Sequence, residues 1–114
     1  MITNKNYILN EHNIIVDNAG YLYNYKDWNK NIAKILADQE HIILTPEHWE
    51  IINFIRNFYL KFNTTPSMKM LSKCIQIKFG KKKSTSIYLY KLFPLGPAQQ
   101  GSKIAGIPKP DHCF

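Results

Sequence analysis

Hydrophobic positions change their spacing once along the chain, and that change separates a strand region from a helical region. Between residues 8 and 25 the apolar positions form short β-branched or aromatic runs at 14–16 and 21–23. The Asp-Asn-Ala-Gly stretch at 17–20 separates these runs, and Asn and Gly tolerate the positive φ of a tight turn. The pattern predicts a β-hairpin that packs on the rest of the chain, because an isolated hairpin is only marginally stable.

From residue 27 the apolar positions recur at helical spacing. Trp28, Ile32, Ile35 and Leu36 share one face of a first predicted helix. Asp27 precedes this face and is the expected N-cap, since its carboxylate accepts hydrogen bonds from the free amides of a helix start. This helix is expected to end between residues 38 and 41.

The clearest helix start lies at Thr45, which is the expected N-cap of a second helix. Pro46 follows at the first helical position, where the missing N–H costs nothing. The apolar face of this helix continues to about Phe62. The Thr-Pro pair at 65–66 repeats the start signal and begins a third helix, which Gly80 ends.

Two shorter helices complete the pattern. Ser84 is the expected cap of the fourth, which Pro94 stops, and the fifth runs over residues 97–105 until Gly106 ends it. We therefore expect one domain over residues 1–114, with a mainly α fold and a small β component (α+β). Its parts are a β-hairpin region at 1–26, a small helical bundle at 27–106 and a C-terminal arm at 107–114.

The arm is the most unusual part of the sequence. Pro108 and Pro110 restrict the backbone to an extended polyproline II conformation, which has no internal hydrogen bonds. Seven such residues would reach about 20 Å from a folded body. Cys113 is the next-to-last residue, so the pattern predicts a mobile arm that presents a thiol to another protein.

Charge is distributed unevenly along the chain. The net charge is +7, yet residues 1–50 carry seven acidic residues against four lysines. After Glu50 the next acidic residue is Asp111, and the stretch between them holds Arg56 and ten lysines. Such a basic surface favours acidic protein partners or nucleic acid. Candidate docking residues are Lys69, Lys73, Lys81, Lys82, Lys83, Lys103, Lys109 and His112.

Familiar catalytic motifs are missing from the sequence. It contains no P-loop, GxGxxG, GxSxG or HExxH pattern, and its four histidines and two cysteines lack metal-ligand spacing. We therefore expect neither a cofactor nor a metal. We also expect a cytoplasmic protein without a membrane span, because no apolar run is long enough and nothing resembles a signal peptide. His48 is predicted to be a surface residue, and Cys74 to be packed in the core.

Cys113 is the candidate catalytic residue. A thiolate is the reactive form of cysteine, and Lys109 and His112 would favour it while a terminal carboxylate on Phe114 would oppose it. Such a thiol suits a carrier: it takes the outer sulfur of a donor persulfide and delivers it to an acceptor cysteine, through a covalent intermediate.

The C-terminal residues resemble the DsrC/TusE family, which comprises gamma-subunit-like proteins of dissimilatory sulfite reductase and tRNA 2-thiouridine synthesising proteins. The resemblance rests on Leu-Phe-Pro-Leu-Gly-Pro-Ala-Gln-Gln at 92–100, Lys-Ile-Ala-Gly-Ile-Pro-Lys-Pro at 103–110 and the penultimate Cys113. Further landmarks extend over nearly the whole chain, including Thr-Pro-Glu-His-Trp at 45–49. The resemblance implies orthogonally packed helices, a small N-terminal hairpin, a mobile arm and a sulfur-bearing Cys113.

Ser102 separates the branches of this family. Sulfite-reductase partners carry a second cysteine eleven residues before the first, and this chain has Ser102 there. The resemblance therefore favours the TusE branch: a sulfurtransferase that takes sulfur from a TusBCD-like complex and hands it to an MnmA-like thiouridylase for wobble-uridine 2-thiolation, meeting tRNA only through that acceptor. The resemblance also implies Arg at the position of Lys69 in many relatives.

Two alternatives remain at this point. The chain is a DsrC-like redox partner of sulfite reductase, which Ser102 disfavours, or it is a nucleic-acid-binding module that uses its lysines on phosphates. No nucleic-acid recognition motif supports the second.

Overall fold

The structure is a computed structural model that describes residues 7–9 and 14–110, with side chains from residue 14 onward. Strands β1 and β2 form a two-stranded antiparallel sheet in which Tyr7 lies opposite Val16. Helices and single 3-10 turns follow. The elements in chain order are β1 Tyr7–Leu9, β2 Ile14–Val16, a 3-10 turn Tyr25–Asp27, α1 Lys30–Gln39, α2 Pro46–Phe62, α3 Met68–Phe79, a 3-10 turn Lys82–Ser84, α4 Ser86–Leu92 and α5 Pro97–Ile104.

The predicted mainly α fold with a small N-terminal β component is confirmed. The predicted second strand of this hairpin, residues 21–23, is shorter than expected. Gly20 donates to the carbonyl of Asp17 at 3.0 Å and closes the predicted turn, but a single bridge between Val16 and Leu22 replaces a full strand. Tyr21 explains the difference, because its ring is buried and its hydroxyl donates to the carbonyl of Gln99 at 3.0 Å.

Helix α1 begins later than predicted. Asn29, not Asp27, is its N-cap, and the Asn29 side chain accepts from the amide of Ile32 at 2.9 Å. Trp28 has extended backbone (φ −78°, ψ 142°). Its indole nitrogen donates to the carbonyl of Ile104 at 2.8 Å, so a tertiary contact holds this residue outside the helix.

Helix α2 matches the prediction at both ends. Thr45 caps it, Pro46 occupies its first turn, and Asn63 ends it in the left-handed conformation. The starts of α3 and α4 were wrong: Ser67 and Thr85, rather than Thr65 and Ser84, accept hydrogen bonds from the first-turn amides.

The core contains residues from all five of these helices. Its members include Leu36, Ile51, Ile55, Leu71, Ile75, Leu89, Phe93, Ile104 and Ile107. Helix α5 approaches α2 closely at Gly101, where a Cβ would lie 2.7 Å from the Ile55 methyl. A larger residue there would force the helices apart. Helix α5 therefore fixes where the chain leaves the core.

No helix in residues 7–9 and 14–110 is long and apolar enough to cross a membrane.

Candidate functional site

The predicted arm begins against the body. Cys113 and His112 lie outside the described residues, but Ile107 is fully buried and its amide donates to the Ser102 carbonyl at 3.2 Å. The Pro108 carbonyl accepts from the Thr65 hydroxyl at 2.8 Å, while Lys109 is exposed. We call residues 105–110 the tail root. The predicted arm was expected to project from the body at residue 107. Residues 107–108 instead pack against the body.

Arg56 of α2 binds the start of the tail root through its guanidinium group. Its guanidinium donates to the carbonyl of Ala105 at 2.9 Å and to that of Tyr25 at 2.8 Å. It also stacks on the Trp28 ring, 4.3 Å from the ring centre. Burial lowers the pKa of Arg56, and the interaction with Tyr25 partly offsets this decrease. Arg56 nevertheless stays charged, because a guanidinium is not deprotonated in proteins. One side chain thus ties the N-terminal segment, α2 and the end of α5 together.

Gly106 turns the chain at this point. Its φ is +73°, a conformation that residues with a Cβ rarely adopt. A Cβ there would lie 2.3 Å from a carbon of the Trp28 ring. The direction in which the tail leaves the body therefore depends on a glycine packed against Trp28.

A polar cluster lies next to the tail root. The Glu40 carboxylate accepts from Gln100 at 3.0 Å and from Lys103 at 3.1 Å. Burial of Glu40 opposes its ionisation, but these two hydrogen bonds outweigh that effect and lower its pKa below the ordinary value. Lys103, a predicted docking residue, is therefore engaged within the protein.

The other predicted docking lysines differ in their partners. Lys83 pairs with Glu50 at 2.7 Å, and this hydrogen bond raises the Lys83 pKa. Five others are exposed and have no ion pair with any residue in the described parts of the chain. They are Lys69, Lys73, Lys81, Lys82 and Lys109. The structure does not bring this set into one cluster around a pocket.

His48 was predicted at the surface, and this was wrong. It is buried, with Nδ1 2.7 Å from the Thr45 hydroxyl and Nε2 2.8 Å from the Leu92 carbonyl. A carbonyl only accepts, so Nε2 carries the proton. His48 stands at the third helical position, where a capping box usually has Glu or Gln, and that position was the signal in the sequence.

Cys74 was predicted in the core, but it is only half-buried. Its Sγ lies 3.7 Å from the Met70 sulfur, and it lines an open groove between α2 and α3. The groove has a volume of about 760 Å³ and is walled by Phe54, Phe58 and Phe62 of α2 and by Met70, Cys74 and Ile77 of α3. We call it the α2–α3 groove. Sequence periodicity missed it because it treated every apolar helix face as core.

Among the residues that the structure describes, no three His, Cys, Asp or Glu side chains are grouped closely enough to hold a metal ion.

Comparison with known proteins connects the tail root to a family. The model of the family described as DsrC-like protein matches residues 8–114. The chain belongs to the DsrC-like family. Among curated proteins, Sulfurtransferase TusE of Buchnera aphidicola subsp. Acyrthosiphon pisum is 53% identical over 114 residues, all of both chains. TusE of Escherichia coli K12 is 50% identical over 101 residues, 89% of this chain and 93% of that one.

Solved members of the DsrC-like family have the same fold. The NMR structure of Allochromatium vinosum DsrC is 41% identical with a TM-score of 0.86 and covers 97% of this chain and 99% of its own. The oxidized DsrC gamma subunit of Archaeoglobus fulgidus sulfite reductase is 33% identical with a TM-score of 0.82, covering 96% and 99%. The curated TusE relatives confirm the predicted resemblance and the sulfurtransferase activity.

Ser102 occupies the position at which the sequence resemblance implies a second cysteine in sulfite-reductase partners. It is fully buried on α5, and its hydroxyl has no hydrogen-bond partner among the described residues. A hydroxyl cannot take part in thiol–disulfide exchange, so Ser102 cannot form a sulfur bridge with Cys113.

Proposed function

We propose that this chain is a sulfur-relay carrier that accepts persulfide sulfur on Cys113. The donor is a TusBCD-like complex, and the acceptor is an MnmA-like thiouridylase that 2-thiolates wobble uridine in cytoplasmic tRNA. The main support for this proposal is the 53% identity to a sulfurtransferase over the whole chain, together with a family match whose range includes Cys113.

The transfer is a pair of thiol exchanges without net oxidation. The Cys113 thiolate attacks the outer sulfur of the donor persulfide, one S–S bond forms as another breaks, and the donor thiolate leaves. An acceptor thiolate then attacks the outer sulfur on Cys113 and regenerates its thiolate. The tail root supports this role, because its contacts hold residues 105–110 against the folded body and Cys113 follows them in the sequence.

Cys113→Ser tests the proposal, with Cys74→Ser as the matched control. After incubation with the sulfur donor, intact-mass analysis should find one added sulfur atom on the native chain and on Cys74→Ser. Cys113→Ser should gain no sulfur and should abolish tRNA 2-thiolation. Its melting temperature should equal that of the native chain, which shows that the fold is intact. Persistent thiolation by Cys113→Ser would disprove the carrier role.

A DsrC-like redox role is the second candidate, because the similar solved structures are DsrC proteins. It requires a bridge between Cys113 and another cysteine. Ser102 removes the family's usual partner and leaves Cys74, which lies on α3. Recovery of a Cys74–Cys113 disulfide under mild oxidation would favour this candidate over the relay.

A further inference from the structure

The α2–α3 groove is an apolar surface that the fold leaves uncovered. Ile77 is 78% exposed, Phe62 55% and Met70 44%. Exposed apolar side chains scattered singly are ordinary, but here they line one groove between two helices. Phe54 also packs against the core, but Phe62, Met70 and Ile77 are not part of the core cluster, so their apolar character needs another explanation.

The dimensions of the groove fit a short helix. Phe54, Phe58 and Phe62 recur every four residues along α2, so they form one wall about 12 Å long. The opposite wall, from Met70 to Ile77, is about 10 Å long. A helix of about eight to ten residues would fill this length, with its apolar stripe between the walls.

The charges around the groove select an acidic occupant. Lys61 and Lys78 line it, and their ammonium groups lie 5.5 Å and 5.7 Å from the centres of the Phe62 and Phe54 rings. Neither α3 nor the part of α2 that lines the groove carries an acidic residue. The two lysines therefore lie over aromatic faces without a carboxylate partner in the groove. A second copy placed face to face would set lysine against lysine.

The groove also lies beside the tail root. Thr64 lines both the groove and a small cleft that contains Pro108 and Lys109. A protein seated in the groove would therefore lie next to the point from which the tail departs. This neighbourhood suits the protein that exchanges sulfur with Cys113.

We propose that the α2–α3 groove docks an acidic amphipathic helix of the protein partner that exchanges sulfur with Cys113. The inference rests on the relay function for its partner, while the surface itself rests on shape and charge. The helix would bury apolar side chains against the three phenylalanines and place its carboxylates beside Lys61 and Lys78.

Ile77→Asp tests the surface, with Ile87→Asp as the matched control. Ile87 is 84% exposed and does not line the groove, so both variants put a carboxylate on an exposed isoleucine. Binding of each chain to the purified donor complex and to the purified acceptor thiouridylase would be measured separately. We expect Ile77→Asp to weaken binding to one of them at least tenfold, and Ile87→Asp to leave both affinities unchanged.

Cys74 allows the occupant to be identified. In the Cys113→Ser chain it is the remaining thiol, so a photoreactive maleimide on Cys74 reports only from the groove. We expect it to cross-link to an acidic, amphipathic helical peptide of the same partner. Cross-linking to a second copy of this chain, or to a basic peptide, would overturn the proposal, as would equal binding by Ile77→Asp and the native chain.

The two proposals fail in different ways. Loss of binding in Ile77→Asp together with intact sulfur transfer in Cys113→Ser would keep the docking surface and disprove the carrier. Intact binding in Ile77→Asp together with lost transfer in Cys113→Ser would keep the carrier and disprove the surface.

Discussion

Helix α2 has two faces that the structure treats in opposite ways. Ile51, Ile52 and Ile55 are completely buried against the core, and Arg56 ties the same region to the tail root. Phe58, Phe62 and Phe54 form the adjoining stripe of the same helix and line an open groove. Both faces are apolar in sequence, so hydrophobicity alone does not tell positioning from recognition. What separates them is whether α5 covers the face.

The largest difference in stability should separate a variant in the buried face of α2 from a variant in the open α2–α3 groove. Ile55→Ala should lower the free energy of unfolding by roughly 2–5 kcal/mol, because it leaves a cavity under α5. Ile77→Ala should change it by less than about 0.5 kcal/mol, because that side chain is already largely in water. Urea denaturation of both variants measures the difference. Equal losses would mean that the groove belongs to the core.

The tail root should depend on the shape of the Arg56 side chain as well as on its charge. Arg56→Lys keeps a cation but removes the fork that serves the Ala105 and Tyr25 carbonyls together. We expect a loss of about 1–3 kcal/mol from the carbonyl left unpaired. Thermal or urea unfolding checks this, with Lys61→Gln as an exposed-cation control on the same helix. A native-like Arg56→Lys chain would show that charge alone suffices.

The Glu40 cluster should make a smaller contribution to stability than Arg56, and one that depends on pH. The folded-state pKa of Glu40 lies below its ordinary value of 4.5, so its contribution is present above that pH and is lost as the pH falls through the folded pKa. Glu40→Gln should cost about 1 kcal/mol at pH 7. Urea denaturation from pH 7 to pH 3 should show the native and variant curves converging. A constant gap would contradict the assigned cause.

Much of the fold was predictable because its signals are local. The start of α2 at Thr45-Pro46 and the ends of α2 and α5 follow from capping chemistry within a few residues. The errors at the starts of α1, α3 and α4 arose where several residues in a row can cap a helix. At α1 the choice was made by a distant contact, from Trp28 to the Ile104 carbonyl.

The candidate site divides in the same way. Cys113 and Ser102 were recognisable from the sequence, because their identities limit the chemistry and the first of them lies in a distinctive tail. The capping-box position signals the local bond between His48 and Thr45, but neither the burial of His48 nor the partial exposure of Cys74 follows from local sequence. Each depends on which neighbour covers the side chain: Leu92 and Phe93 for His48, and nothing in the described chain that closes the groove beside Cys74.

The helices, the basic second half and the thiol in the tail can be read from the amino-acid sequence, because propensity, capping and charge act over a few residues. The burial of Ile107, the contacts of Arg56 and Trp28 with the tail root, and the open apolar stripe of α2 emerge only when the helices pack together. Those outcomes depend on contacts between residues far apart in the chain, and no local pattern specifies which apolar faces meet.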